Sequence, residues 1–410
     1  MFRFVITWAI TILISFLPAT AGDNGGFRFT QNRQSIRIPA KVSNNLVVIP
    51  LRINDSPPLY FILDTGVNTT LITEPLLAYM LDLSLDELVY IYGLGGEGII
   101  EAARSTGNEI RIGSVKGKDL DLIVLPEGVL SFSELFGFQV YGIIGYELFK
   151  AFPISIDYIR SQVRIYREPG YRIPRRSEVI PFDLIGTKPY IQTEITGPEG
   201  ESVSARLMVD LGASHPVYLN EEFSAYSPET TRSFLGTGIS GNLMGNIGRV
   251  KKVKAGKLNL EMPLVAFPDQ EFLTFNGQSI GWNGLIGGGV LSRYRIIFDY
   301  PSRHIVFREN YHARDPYSSN LSGMEVLAAG RGFNEYIINY VRPGSAAYES
   351  GIMAGDQILS VNNKPYQNLR FHELNEELSG DEGRQVDLTL RRDGKTFRRT
   401  ITLREDILFN

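Results

Sequence analysis

Leu59-Tyr60-Phe61-Ile62-Leu63-Asp64-Thr65-Gly66-Val67 is answered later in the chain by Leu207-Met208-Val209-Asp210-Leu211-Gly212-Ala213, with the two aspartates 146 residues apart. In both copies an apolar run ends on a carboxylate in a Gly-containing turn. A carboxylate at the end of a buried strand is costly unless it is hydrogen-bonded or functional. Two such placements in one chain suggest two carboxylates that meet. The repeat extends further. Tyr141-Gly142-Ile143-Ile144-Gly145 and Ile156-Asp157-Tyr158 follow the first aspartate, and Asn283-Gly284-Leu285-Ile286-Gly287 and Phe298-Asp299-Tyr300 follow the second. The order is the same and the offset nearly constant, which is the mark of an internal duplication.

With these landmarks in place, the chain resembles the aspartic proteases of the retropepsin and pepsin type. Their lobe pattern is an apolar run, Asp-Thr-Gly, a Gly-rich flap and an apolar-apolar-Gly strand. The resemblance implies a mainly β protein with two tandem retropepsin-like lobes, over residues 35–172 and 173–311. It makes Asp64 and Asp210 the catalytic pair, supported by Thr65, Gly66 and Gly212. Tyr92, Gly93 and Gly95 fall at the first flap, and Gly236 and Gly238 at the second. The glycines near Gly93 open no helix inside a βαβ unit, which argues against a dinucleotide loop. Asp157 and Asp299 follow no Gly turn and read as structural hairpin residues.

Two departures refine the expectation. The family's Thr holds the two Asp loops together across the pseudo-dyad; Thr65 can do this, but Leu211 has no side-chain donor or acceptor. Val67 and Ala213 stand where pepsin-like lobes carry a hydroxyl that stabilises the ionised carboxylate. Losing that bond should raise the carboxylate pKa and move the optimum toward weakly acidic or neutral pH.

The C-terminal stretch Tyr336–Asn362 contains Arg342-Pro343-Gly344-Ser345-Ala346-Ala347 and Gly351-Ile352-Met353-Ala354-Gly355-Asp356-Gln357-Ile358. It resembles a PDZ domain (α+β) of bacterial type over residues 322–410, after a linker at 312–321. The resemblance implies an extended peptide added to a sheet edge, its terminal carboxylate held by loop N–H groups. Two stretches fit that loop. One is Ser322 with Gly323, Met324, Glu325 and Val326, which is preferred; the other is Gly330 to Phe333. Phe371 to Leu378 reads as the helix beside the groove, and Arg391-Arg392-Asp393-Gly394-Lys395 as a hairpin turn with solvated charges.

Composition narrows the remaining classes. The chain has 410 residues, a net charge of −4 and no cysteine. That charge advertises no nucleic-acid partner, and the missing thiols remove disulfides, thiol nucleophiles and thiolate metal sites. The histidines are scattered, and His372-Glu373 lacks the second His of a zinc helix motif. No cofactor or metal is expected. Met1-Phe2-Arg3, an apolar stretch and Ala19-Thr20-Ala21 read as a signal peptide over residues 1–21, followed by a loose segment at 22–34. The expectation is an exported, periplasmic or extracellular endopeptidase with no membrane span after cleavage. Its partners would be a peptide or unfolded-protein substrate and a PDZ ligand peptide. The rivals are a catalytically inactive peptide-binding scaffold, and an enzyme whose first lobes pair between two chains.

Overall fold

The computed structural model describes residues 26–91, 99–168, 170–239, 241–269, 274–275, 278–279 and 283–408. The expected leader at 1–21 and the flap residues Tyr92, Gly93 and Gly95 lie outside them. The protein is mainly β, with three large sheets in the N-terminal three-quarters and a fourth in the C-terminal region.

The duplication is visible in strand order. In the first lobe, Leu46–Ile53 and Leu59–Leu63 form an antiparallel hairpin with Val48 opposite Ile62. Strand Gly142–Ile144 then inserts beside the aspartate strand, parallel to Leu59–Leu63 and antiparallel to Thr70–Ile72. The second lobe repeats this. Lys188–Thr196 pairs with Ser202–Val209, and Gly284–Ile286 lies parallel to the latter and antiparallel to Val217–Leu219. Leu59–Leu63, Gly142–Ile144 and Gly284–Ile286 are buried on both faces, so their sequences are nearly continuous apolar runs without alternation.

A six-stranded sheet joins the lobes. Ile154–Asp157 of the first half pairs antiparallel with Tyr294–Asp299 of the second, with Ser155 opposite Ile297. Above it, Phe149 packs edge-on to Phe298 at 5.6 Å and close to Tyr300 at 5.4 Å. Asp157 and Asp299 cap the two hairpin turns of this sheet, accepting from the N–H of Arg160 (3.1 Å) and Ser302 (2.9 Å).

The segment expected to be loose is partly ordered by packing. Gly26–Phe29 is a strand, antiparallel to Val115–Val124, with Phe27 opposite Gly117. A side chain at position 117 would strike the Phe27 ring, so the glycine makes room for it. Phe29 meets Phe152 edge-on at 5.2 Å. The alternation of Phe27 and Phe29 with polar residues was the available signal.

The C-terminal sheet runs in the order Met324–Ala329, Glu335–Val341, Gln357–Val361, Gln385–Arg392, Lys395–Thr402, with helices Ala346–Glu349 and Phe371–Leu378. Arg392, expected to be solvated, instead forks onto the buried Asp356 carboxylate, with Nε–Oδ1 at 2.6 Å and Nη2–Oδ2 at 2.7 Å. Among the described residues no helix is long and apolar enough to cross a membrane.

Candidate active site

Asp64 and Asp210 each sit one residue beyond a buried strand and are fully buried. Their backbones are held alike. The N–H of Asp64 donates to Ile144 O and that of Asp210 to Ile286 O, both at 2.9 Å. In each turn the glycine N–H donates back to the carboxylate: Gly66 to Asp64 Oδ1 at 2.6 Å, Gly212 to Asp210 Oδ1 at 2.9 Å. The Oδ2 atom of each aspartate has no donor among the described residues. The two carboxyls lie within hydrogen-bonding reach of each other once one carries a proton.

The glycines are required by space rather than by backbone angle. A side chain at Gly212 would collide with the Asp64 carboxyl. One at Gly145 would run into Val67, and one at Gly287 into Ala213, whose Cβ would stand 3.0 Å away. The apolar-apolar-Gly strands thus pass directly under the aspartate loops.

Thr65 locks the two loops together. Its hydroxyl donates to Val209 O at 2.8 Å and accepts from the Leu211 N–H at 3.0 Å. Leu211 offers no reciprocal bond and is buried in the apolar core. A second tie is symmetric. Asn45 Nδ2 donates to Ser214 O at 3.2 Å, while Thr187 Oγ1 bonds Asn68 Oδ1 at the matching place in the other half.

Burial raises both carboxyl pKa values, most strongly for Asp64, where the facing Asp210 adds to the effect. Two carboxylates this close do not both ionise readily, so the pair holds one proton over a range above the usual carboxylate values. The N–H donors of Gly66 and Gly212 oppose the rise. So does Lys188, a residue that motif reading missed. Tyr190 pairs with Met208, and continuing that register brings Lys188 beside Asp210. The equivalent place in the first lobe is held by Leu46. Lys188 is 7 % exposed, and its charge acts on both aspartates. Burial lowers its own pKa to about 8. The sequence signal was a lysine at the head of the strand opposite Asp210, which becomes informative only once the strand register is known.

His215 follows the second loop, its ring 5.5 Å from Tyr218, and is held neutral by burial, with a pKa of about 4. Gly236 and Gly238 belong to the hairpin Thr230–Gly238 with Gly241–Arg249, but both are buried. Phe234 of that hairpin stacks near Tyr340 of the C-terminal sheet at 5.8 Å, so the expected second flap is covered in this conformation. Of the two proposed carboxylate loops, Gly330–Phe333 is the turn of the hairpin Met324–Ala329 with Glu335–Val341. Gly323 precedes the edge strand and adopts φ +73°, and Met324, Glu325 and Val326 lie within it. Among the described residues no cluster of three or more His, Asp or Glu side chains is placed to hold a metal ion.

Residues 49–148 match the aspartyl protease family, and residues 337–392 match the PDZ domain family. The chain carries an aspartyl protease domain and a PDZ domain. Its structure is similar to that of an aspartic proteinase from Irpex lacteus, with TM-score 0.44 and 13 % identity over 68 % of this chain and 99 % of that one. A search of curated proteins found no sequence match. The matched protease segment contains Asp64 and the first-lobe strand Gly142–Ile144; Asp210 is tied to it by the Thr65 lock rather than by the match.

Two outcomes follow from this geometry. Thr65→Val leaves Val209 O and the Leu211 N–H buried without a partner, at about 1–3 kcal/mol for each group. Thermal or denaturant unfolding should show a loss of roughly 3 kcal/mol; a loss below ~1 kcal/mol would contradict the lock. Lys188→Met removes a cation that favours the ionised pair, so the first ionisation of the dyad should move upward, by roughly one pH unit. A ¹³C-carboxyl NMR titration reads this directly, with Lys188→Arg near the wild type. An unchanged midpoint would place the ammonium outside the field of the dyad.

Proposed function

We propose that the protein is an aspartic-type endopeptidase that hydrolyses peptide bonds with a water activated by Asp64 and Asp210. The observation that carries this reading is the pairing itself: two buried carboxyls, each backed by a glycine N–H, locked face to face by Thr65. In the singly protonated pair, the ionised carboxylate accepts a proton from water while the protonated one donates a hydrogen bond to the scissile carbonyl oxygen. The water oxygen bonds to the carbonyl carbon and gives a tetrahedral diol. Proton transfer from the pair to the amide nitrogen then accompanies C–N cleavage, releasing an acid and an amine and returning one proton to the pair. No covalent enzyme intermediate is needed. Lys188 contributes by offsetting the charge of the pair, which keeps the singly ionised form populated at lower pH than burial alone would allow.

The substrate in this reading is an extended peptide or a segment of unfolded protein. The PDZ domain supplies a second peptide-recognition surface. Val67 and Ala213 are fully buried and carry no hydroxyl, which supports a pH optimum above that of free carboxylates near ~4.

The test is peptide-library cleavage by the purified chain between about pH 3 and 8, beside Asp64→Asn and Asp210→Asn. The wild type should cleave with an optimum above about pH 4. Each Asn variant should lose ~1000-fold or more in kcat/KM while keeping the wild-type fold. Activity retained in Asp210→Asn would move the second carboxylate to another chain. A wild type that binds peptides and cleaves none would make the protein a peptide-binding scaffold.

A further inference from the structure

The peptide groove of the PDZ domain is bounded by an edge strand and a helix. Among the described residues Met324–Ala329 pairs with Glu335–Val341 alone, so no strand takes up the hydrogen bonds of its other edge. The facing wall is the helix Phe371–Leu378, which turns Phe371, Leu374 and Leu378 inward. In this structure that space is not open. The short helix Ser133–Phe136 of the first protease lobe lies along Met324–Ala329. Gly137, at φ +69°, sits so close to Phe371 that an added Cβ would stand 2.6 Å from the Phe371 Cβ. Leu130, Phe132, Leu135 and Phe136 are buried in one apolar cluster with Val326, Ala328, Phe371 and Leu374.

The carboxylate-binding end of the groove is also committed. The Ser322 N–H donates to Asn320 Oδ1 at 3.2 Å, the Gly323 N–H to Asn320 O at 3.0 Å, and the Met324 N–H to Ser322 Oγ at 3.2 Å. All three loop donors that could grip a ligand carboxylate are satisfied within the chain. Glu325 places a further carboxyl beside them, and burial pushes its pKa up to about 8 despite Arg342. A terminal carboxylate entering here would gain no free N–H. An internal peptide segment has no such charge to satisfy.

We propose that the PDZ groove is a reader of internal apolar segments, and that its resident ligand is the protein's own Leu130–Phe138 stretch. The partner class is therefore an exposed internal run of leucine and phenylalanine in another polypeptide, such as an unfolded protein, which must displace the resident segment to bind. A tethered ligand competes at a high effective concentration, so the groove is shut to weak ligands and open to strong ones.

The probe is a fluorescein-labelled peptide of sequence Val129–Phe138, made both as C-terminal amide and as free acid. Binding to the full chain is read by fluorescence anisotropy. Gly137→Val drives a side chain into Phe371, and Phe136→Glu puts a charge into the apolar cluster; the two expel the segment by different routes. If the groove is free about one time in a hundred, the wild type binds ~100-fold more weakly than a variant with the segment released. Amide and acid should bind the variants within about twofold. Equal binding by wild type and variants, no binding by folded variants, or a tenfold or greater preference for the free acid would each overturn the proposal. Should both variants misfold, the contact is tested by Gly137→Cys with Phe371→Cys in this cysteine-free chain. The two Cβ positions need part by only about an ångström to reach disulfide geometry. A crosslink on mild oxidation supports the contact, and two free thiols overturn it.

Discussion

The structure depends on keeping two carboxyl groups buried and facing each other. An isolated buried carboxylate costs many kcal/mol by desolvation, and the usual escape is protonation. The chain permits the arrangement by satisfying one oxygen of each acid with a glycine N–H and leaving the other for the shared proton. Every nearby feature serves that geometry. Gly212 leaves space for the Asp64 carboxyl, Gly145 and Gly287 let the supporting strands pass beneath, and the Thr65 hydroxyl fixes the loop spacing. The pseudo-symmetry is broken where it matters least to packing and most to charge. Leu211 replaces a second hydroxyl with core burial, and Lys188 stands where the first lobe has Leu46.

The PDZ domain is fastened to the protease rather than strung from it. Arg249 of the second lobe is buried; it donates to Tyr317 O and Ile407 O, both at 2.7 Å, and pairs with Glu405 at 3.1 Å. It thereby holds the residues leading into the PDZ domain and those leading out. Arg342 of the domain forks onto Asp406 and also bonds Asn320 O at 2.8 Å. With these anchors the domain touches both lobes, at the Ser133–Phe136 helix of the first and at Phe234 of the second. The covered second hairpin and the filled PDZ groove are two consequences of one docked position.

Much of this was legible in the sequence because it is written locally. Asp64, Asp210, the glycines beside them, the Gly-Ile-Ile-Gly and Gly-Leu-Ile-Gly strands and the Gly355-Asp356 turn are short motifs whose chemistry depends on immediate neighbours. The one-sided lock was also readable, because the Leu211 side chain has no polar atom to offer. What was not legible depends on long-range pairing. Lys188 becomes part of the site only through the register of Lys188–Thr196 against Ser202–Val209. Arg392 looked like a solvated turn residue until Gln357–Val361 brought Asp356 beside it. The apolar stretch around Phe132 and Phe136 carried no motif, and its role appears only when the PDZ helix is seen against it. The strand Gly26–Phe29 was passed over because four residues carry little periodic signal.

One chain assembles one complete dyad from its own two lobes. Isothermal titration with a peptide carrying a central secondary hydroxyl, a stable mimic of the tetrahedral diol, tests it most directly. Such a ligand places its hydroxyl between the two carboxyls and has no other reason to prefer the site. One ligand should bind per chain to a monomer, with binding lost as the pair ionises fully at high pH. One ligand per two chains, or no binding at any pH where the fold is intact, would contradict it.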